Sequence, residues 1–97
     1  MATLSIVVFE NAVEVLFDRP KAIISVSIDG TSRLAAAIPG NTGQMRHCRI
    51  FTDTDCFFTW GDAPTVADFT DGIPLGAENP EVVGIKAGDQ VAVIERV

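Results

Sequence analysis

The sequence predicts a single all-β domain over residues 1–97, a small antiparallel β-sandwich or β-barrel, jelly-roll-like, with seven or eight short strands. Three observations lead to this prediction. The chain has 97 residues, the size of one domain, and 47% of them are apolar. Short runs rich in Val, Ile and Phe alternate with turn residues, including eight glycines and five prolines. No segment is a convincing helix.

The first half of the chain contains three predicted strand regions. Residues 3–9 and 12–17 are apolar runs separated by Glu10-Asn11, and they predict a hairpin or two segments of one bent strand. Residues 21–28 alternate, so that Ala22, Ile24, Val26 and Ile28 share one face. Asp29-Gly30 then predicts a hairpin turn into a strand over residues 31–39. In that strand one face is predicted to carry Ser32, Leu34, Ala36 and Ile38, opposite Arg33, Ala35 and Ala37.

A second hairpin is predicted from residues 44–52 and 55–61. A three-residue loop at 52–54 aligns the apolar faces of the two strands, and a two-residue loop is less favourable because it mixes charge into the core face. The predicted pairs are Ile50 with Cys56, Cys48 with Phe58 and Arg46 with Trp60.

The last third of the chain predicts a loop and two strands. Residues 62–79 read as a long ordered loop with one short strand, and long loops in small domains are often binding surfaces. Residues 81–86 and 90–96 predict strands joined by Ala87-Gly88-Asp89.

Charge and composition exclude several functions. The formal net charge is −6, with seven Lys and Arg against thirteen Asp and Glu, so we expect no nucleic-acid binding. No apolar stretch reaches the length of a membrane span, and the first ten residues lack a signal-peptide pattern. We therefore expect a soluble intracellular product that does not bind a membrane.

The residues with reactive side chains do not form a catalytic motif. His47 and Cys48 are adjacent in a predicted strand and point to opposite faces, so no nucleophile-base pair forms, and we expect no enzyme. Cys48 and Cys56 share the predicted core face, where buried reduced thiols are favoured over a disulfide.

Acidic residues raise the question of a calcium site, because carboxylate oxygens are its preferred ligands. The five candidates lack EF-hand spacing and are more typical of turns, where a carboxylate accepts hydrogen bonds from backbone N–H groups, so we expect no metal and no cofactor. These residues are Asp53, Asp55, Asp62, Asp68 and Asp71.

Two sets of side chains are candidates for contact with a partner protein. Arg33, Arg46 and Arg49 form a predicted basic face that suits an acidic partner, although isolated arginines on a wet face are usually solvated. Trp60 and Phe69 are candidate interface anchors, although a single Trp near a strand end is more often core or rim.

Five segments of the chain carry a recognisable order of motifs: SRLAAAIP at 32–39, MRHCRI at 45–50, DCFFTWGD at 55–62, IPLGAENPE at 73–81 and AGDQVAVI at 87–94. A small-residue strand leads to a strand with Arg and Ile, a short acidic turn and an aromatic strand ending in Gly-Asp. In this order the segments resemble small virion proteins of tailed bacteriophages.

This resemblance implies a β-sandwich or β-barrel capsid protein, most often a decoration or cement protein. Such a protein is made in the host cytoplasm, sits on the capsid surface as a homotrimer and stabilises the head by binding several major capsid subunits. The apolar start departs from the extended arm of many cement proteins. Residues 2–9 are instead expected to add a strand to a neighbouring subunit, through Ala2, Leu4 and Ile6.

Two alternatives remain open from the sequence. A head-tail adaptor or a tail or spike component would occupy another place in the same virion. A small carbohydrate- or ligand-binding β module, from another functional class, would use Trp60 and the 62–79 loop as a stacking platform.

Overall fold

The computed structural model describes residues 2–9, 22–41, 43–66 and 71–96. Within these ranges the chain forms eight strands and no helix, and therefore no helix that could cross a membrane. The strands are β1 (Thr3–Phe9), β2 (Ala22–Ser27), β3 (Arg33–Leu34), β4 (Met45–Thr52), β5 (Cys56–Gly61), β6 (Ile73–Leu75), β7 (Glu81–Lys86) and β8 (Gln90–Glu95).

The strands divide into two four-stranded antiparallel sheets. Sheet A has the order β2-β1-β4-β7, and sheet B has the order β3-β8-β5-β6. The chain changes sheet after most strands, which is how double-sheet jelly rolls connect their strands. The predicted all-β class and strand number are confirmed, in the sandwich form, because the two sheets do not close into a barrel.

Strand β1 is an inner strand of sheet A. It pairs with β2 on one side and β4 on the other, and Leu4, Ile6 and Val8 are fully buried in the core. The expectation that residues 2–9 add a strand to a neighbouring subunit is therefore wrong, because both hydrogen-bonding edges of β1 are already used within the chain. The second predicted run, residues 12–17, lies outside the described residues.

The turn at Asp29-Gly30 does not form the predicted hairpin. Strand β2 belongs to sheet A and β3 to sheet B, so residues 28–32 carry the chain across the edge of the sandwich. The predicted strand over 31–39 shortens to Arg33–Leu34. Its inward residues are Ala35 and Ile38, whereas Leu34 is 44% exposed. Alternation fails here because a segment without continuous pairing need not keep a period of two.

The predicted hairpin between β4 and β5 is also wrong in its pairing, although its apolar faces are right. Strand β4 pairs with β1 and β7, and β5 pairs with β6 and β8, so the chain crosses from one sheet to the other at 53–55. Two apolar faces that fit side by side also fit face to face across a sandwich, and periodicity does not distinguish these arrangements.

The same crossing occurs between β7 and β8. The predicted bounds of β7 are confirmed, and β8 ends at Glu95, one residue before the predicted end. The turn at 87–88 joins the two strands, but they lie in different sheets. The predicted short strand in the 62–79 region is confirmed as β6.

The core lies between the two sheets and is formed by alternate residues of the inner strands. Phe58 is its largest fully buried side chain, and it packs with aliphatic residues of both sheets. The central cluster comprises Leu4, Ile6, Val8, Ile28, Ala35, Ile38, Cys48, Ile50, Cys56, Phe58, Leu75, Ile85, Val91 and Val93.

Candidate interaction surface

The solvent-facing side of sheet A, here called the outer face, carries no acidic side chain among its described positions. Its residues alternate with the buried ones along each strand, so their identity follows from the strand registers. They are Ile23, Ser25 and Ser27 of β2, Thr3, Ser5 and Val7 of β1, Met45, His47, Arg49 and Phe51 of β4, and Val82, Gly84 and Lys86 of β7. Phe9 lies on the same side of β1 but is buried.

One row of this face crosses all four strands. The registers set Ile23 opposite Val7, Val7 opposite Arg49, and Arg49 opposite Val82. Ile23 is 66% exposed and Val82 is 51% exposed, so the row presents aliphatic groups at both edges of the sheet and a guanidinium between them. Directly opposed side chains in a sheet lie about 5 Å apart, which makes the row one continuous surface.

Further apolar groups extend the outer face in both directions along β4. Met45 is 50% exposed and Phe51 is 40% exposed. Gly84 leaves room for the Met45 thioether, since a Cβ added at Gly84 would lie 3.0 Å from Met45 Sδ. His47 lies opposite Phe9 and Gly84, and its buried Nδ1 makes no hydrogen bond to the residues that the structure describes.

The cations of the outer face have no carboxylate partners in the described ranges. Neither Arg49 nor Lys86 forms an ion pair there. By contrast, Arg33 contacts Asp29 at 2.7 Å, and Arg96 contacts Asp55 at 3.3 Å. The uncompensated positive charge of this acidic protein is therefore available for contact on the outer face.

Five acidic residues lie together at one end of the sandwich, here called the acidic end. Backbone bonds bring its turns together: Glu78 N donates to Thr52 O, and Glu95 N donates to Asp29 O, both at 2.8 Å. The acidic end comprises Asp29, Asp53, Asp55, Glu78 and Glu95.

Three carboxylates of the acidic end have structural partners. Asp53 Oδ1 accepts a hydrogen bond from Thr3 N, and Asp55 Oδ1 accepts one from Ala77 N, each at 2.8 Å. Asp29 accepts one from Thr31 N at 3.0 Å and pairs with Arg33. Asp29 bonds to backbone two residues away. The prediction that Asp53 and Asp55 bond to local backbone in turns is wrong, because both accept hydrogen bonds from backbone that is distant in sequence.

The hydrogen bonds at the acidic end predict acid sensitivity of the fold. The backbone N–H of Ala77 and then the side chain of Arg96 lower the pKa of Asp55, whose ordinary value is 3.8. Because its pKa is lower in the folded state, Asp55 stabilises the fold above pH 3.8, and this contribution is lost as the pH falls below that value. Thermal midpoints measured from about pH 6 to about pH 2 should therefore fall at the acidic side, and less steeply in Asp55→Asn. An equally steep fall in the variant would contradict this assignment.

No protein-family model, curated protein or solved structure matches this chain.

The two thiols lie in the core. Cys48 and Cys56 are free and fully buried, and burial raises the pKa of each thiol to about 11. His47 points to the outer face and Cys48 to the core, as the alternation of the strand predicts. The structure thus separates these two side chains as expected.

Trp60 belongs to the interior more than to the surface. It packs against the core cluster and stacks on Phe58, with ring centroids 5.8 Å apart and planes inclined by 25°. One face of the indole is therefore covered by the protein, which leaves less of it for stacking on a sugar.

The predicted interface residues do not form one surface. Leu4 and Ile6 are buried in the core, Ala2 is partly buried, and Phe69 lies outside the described residues. The predicted basic face is also wrong, because its three arginines do not lie on one surface. Arg33 lies on β3 of sheet B, and Arg49 lies on the outer face of sheet A. Arg46 lies on the same side of β4 as the buried Cys48.

Arg46 occupies a confined place at the end of β4. A Cβ on Gly40 would lie 2.7 Å from its Nε and Nη2 atoms, so the guanidinium packs against the backbone of Gly40. Its Nε and Nη1 are buried and make no hydrogen bond to the described residues.

Four exposed apolar residues of the outer face were not identified from the sequence, namely Ile23, Met45, Phe51 and Val82. Alternation already set Ile23 and Phe51 opposite the core face. What was missing was the order of the strands, which brings these positions together on one sheet.

Proposed function

We propose that this protein is a non-enzymatic structural protein of a tailed-phage virion, a capsid decoration protein that binds the major capsid protein through its outer face. The observation that carries the proposal is the composition of that face, which combines exposed apolar groups and cations and includes no carboxylate at its described positions.

A face of this composition suits contact with another protein. Contiguous apolar patches on soluble proteins often mark interaction sites, whereas single exposed apolar residues carry no such meaning. Protein interfaces are enriched in Phe, Met and Arg and depleted in Asp and Glu. Phe51, Met45 and Arg49 occupy one strand of the outer face, in a chain with thirteen acidic residues.

The sandwich also suits a role in a shell. The strands of sheet A are fixed by backbone hydrogen bonds to their neighbours. The outer face is therefore ordered before it binds, and binding loses little conformational entropy. Many copies with weak individual contacts stabilise a shell because its subunits are linked and each further contact forms at high effective concentration. A head-tail adaptor or a tail or spike component would use the same face at another place in the virion.

The proposal predicts that the protein is part of the particle. Virions produced from the genome that encodes this chain should contain it, and gold-labelled antibodies should decorate the head surface. If the antibodies labelled the neck or the tail instead, the protein would be a head-tail adaptor or a tail component and not a decoration protein. Absence of the chain from purified virions would refute the proposal.

The outer face can be tested in the same particles. A variant with Arg49→Glu and Val82→Asp should be lost from the virion, because it introduces two carboxylates among apolar groups that contact the shell. Thr65→Glu, at an exposed position outside the outer face, is the matched control and should be incorporated normally. Equal incorporation of both variants would exclude the outer face as the contact.

A further inference from the structure

The outer face and the acidic end carry opposite charges among the described residues. The outer face presents Arg49 and Lys86 without ion-pair partners in the described ranges. At the acidic end, Arg33 and Arg96 each pair with one Asp, and Glu78 and Glu95 form no ion pair with the described residues. The two surfaces are complementary in charge and belong to the same chain.

This arrangement of charges limits how two copies can meet. Two outer faces in contact would oppose Arg49 and Lys86 with the same cations, and two acidic ends would oppose carboxylates, in a protein whose net charge is already −6. Like charges in contact cost free energy and suppress such pairings. Among contacts between these two surfaces, only the one between an outer face and an acidic end brings opposite charges together.

We infer that copies of this chain associate head to tail, with the outer face of one copy bound to the acidic end of the next. This inference rests on the proposed role of the outer face as a protein-binding surface, and it names a second copy as one of its partners. A head-to-tail contact leaves one free surface of each kind on every pair, so association continues until a ring closes or a filament forms.

The dimensions of the outer face indicate how strongly two copies should associate. Four strands about 4.8 Å apart and about six residues long give a footprint of roughly 15 by 20 Å. Such an area belongs to the class of weak interfaces, and much of its free energy comes from charge, so association should require concentrated protein and weaken with salt.

The experiment compares three charge variants by light scattering after size exclusion, at serial dilutions and at low and high salt. The outer-face variant carries Arg49→Glu and Lys86→Glu, the acidic-end variant carries Glu78→Lys and Glu95→Lys, and the swapped variant carries all four changes. The wild-type chain should exceed its monomer mass of 10.3 kDa at low salt and high concentration. Each two-site variant alone should be monomeric.

Mixing provides the decisive result. In an equimolar mixture the normal outer face of the acidic-end variant meets the normal acidic end of the outer-face variant, and the two mutated surfaces also carry opposite charges. Two variants that are monomeric alone should therefore associate on mixing and reach the wild-type mass. The swapped variant restores opposite charges at every contact and should recover the wild-type mass. Thr65→Glu should behave as the wild type, and circular dichroism should show that all variants are folded.

Other outcomes would overturn the inference. A contact between two outer faces would abolish association in the outer-face variant and in the swapped variant, and would leave the acidic-end variant associated. A wild-type chain that is monomeric at every concentration and salt would also refute it. Neither result affects the virion test, since a protein that is monomeric alone would still be found in particles if the proposed function is correct.

Discussion

Replacing Phe58 with alanine is expected to lower the free energy of unfolding by about 3 to 5 kcal/mol. Phe58 is the largest fully buried side chain, and it lies on an inner strand of sheet B among aliphatic residues of both sheets. Removing its ring would leave a cavity between the sheets and remove the surface on which Trp60 stacks. Small domains have total stabilities of about 5 to 15 kcal/mol, so this single change would remove much of the stability.

The neighbouring residue provides the matched control. Phe57 is only partly buried, and its ring lies 5.8 Å from the guanidinium carbon of Arg96. The same Phe→Ala change should cost much less there, because water can replace the lost contacts. Urea unfolding followed by circular dichroism measures both free energies. Equal losses at the two positions, or a loss below about 1 kcal/mol at Phe58, would show that β5 does not face the core as described.

The local features of the fold were largely predictable from the sequence. The apolar alternation of residues 22–28 and 44–52 identified their buried faces, because each face of a paired strand has a period of two. The segment DTDCFFTWGD at 53–62, predicted as part of the loop and the second strand of a hairpin, does form a strand with Cys56 and Phe58 in the core, although the loop crosses between the sheets. Its acidic start is now explained by the bonds of Asp53 and Asp55 to the backbone of Thr3 and Ala77.

The pairing of strands was not predictable on the same grounds. Sequence neighbours such as β4 and β5 face each other across the sandwich, and β1 pairs with β4, whose residues are more than 35 positions away. Local patterns carry no information about which distant edge a strand will meet. Since the outer face exists only through this strand order, its four exposed apolar residues could not be recognised as one surface from the sequence.

The position of β1 inside sheet A gives the second large prediction. Ile6→Ala is expected to lower the free energy of unfolding by about 2 to 5 kcal/mol, because Ile6 is fully buried between Ile24 and Ile50 in the register of the sheet. Ile23→Ala is the matched control. It makes the same chemical change in the same sheet, at a side chain that is 66% exposed, and should alter stability by no more than about 0.5 kcal/mol.

The comparison between these two isoleucines separates two roles for the start of the chain. If residues 3–9 form an integral strand, only Ile6→Ala should lower the midpoint of urea unfolding, and Ile23→Ala should affect association or incorporation into particles instead. If Ile6→Ala cost less than about 1 kcal/mol, β1 would not be part of the core, and a strand donated to a neighbouring subunit would again be the better explanation. Because both edges of β1 are paired within the chain, we expect the first result.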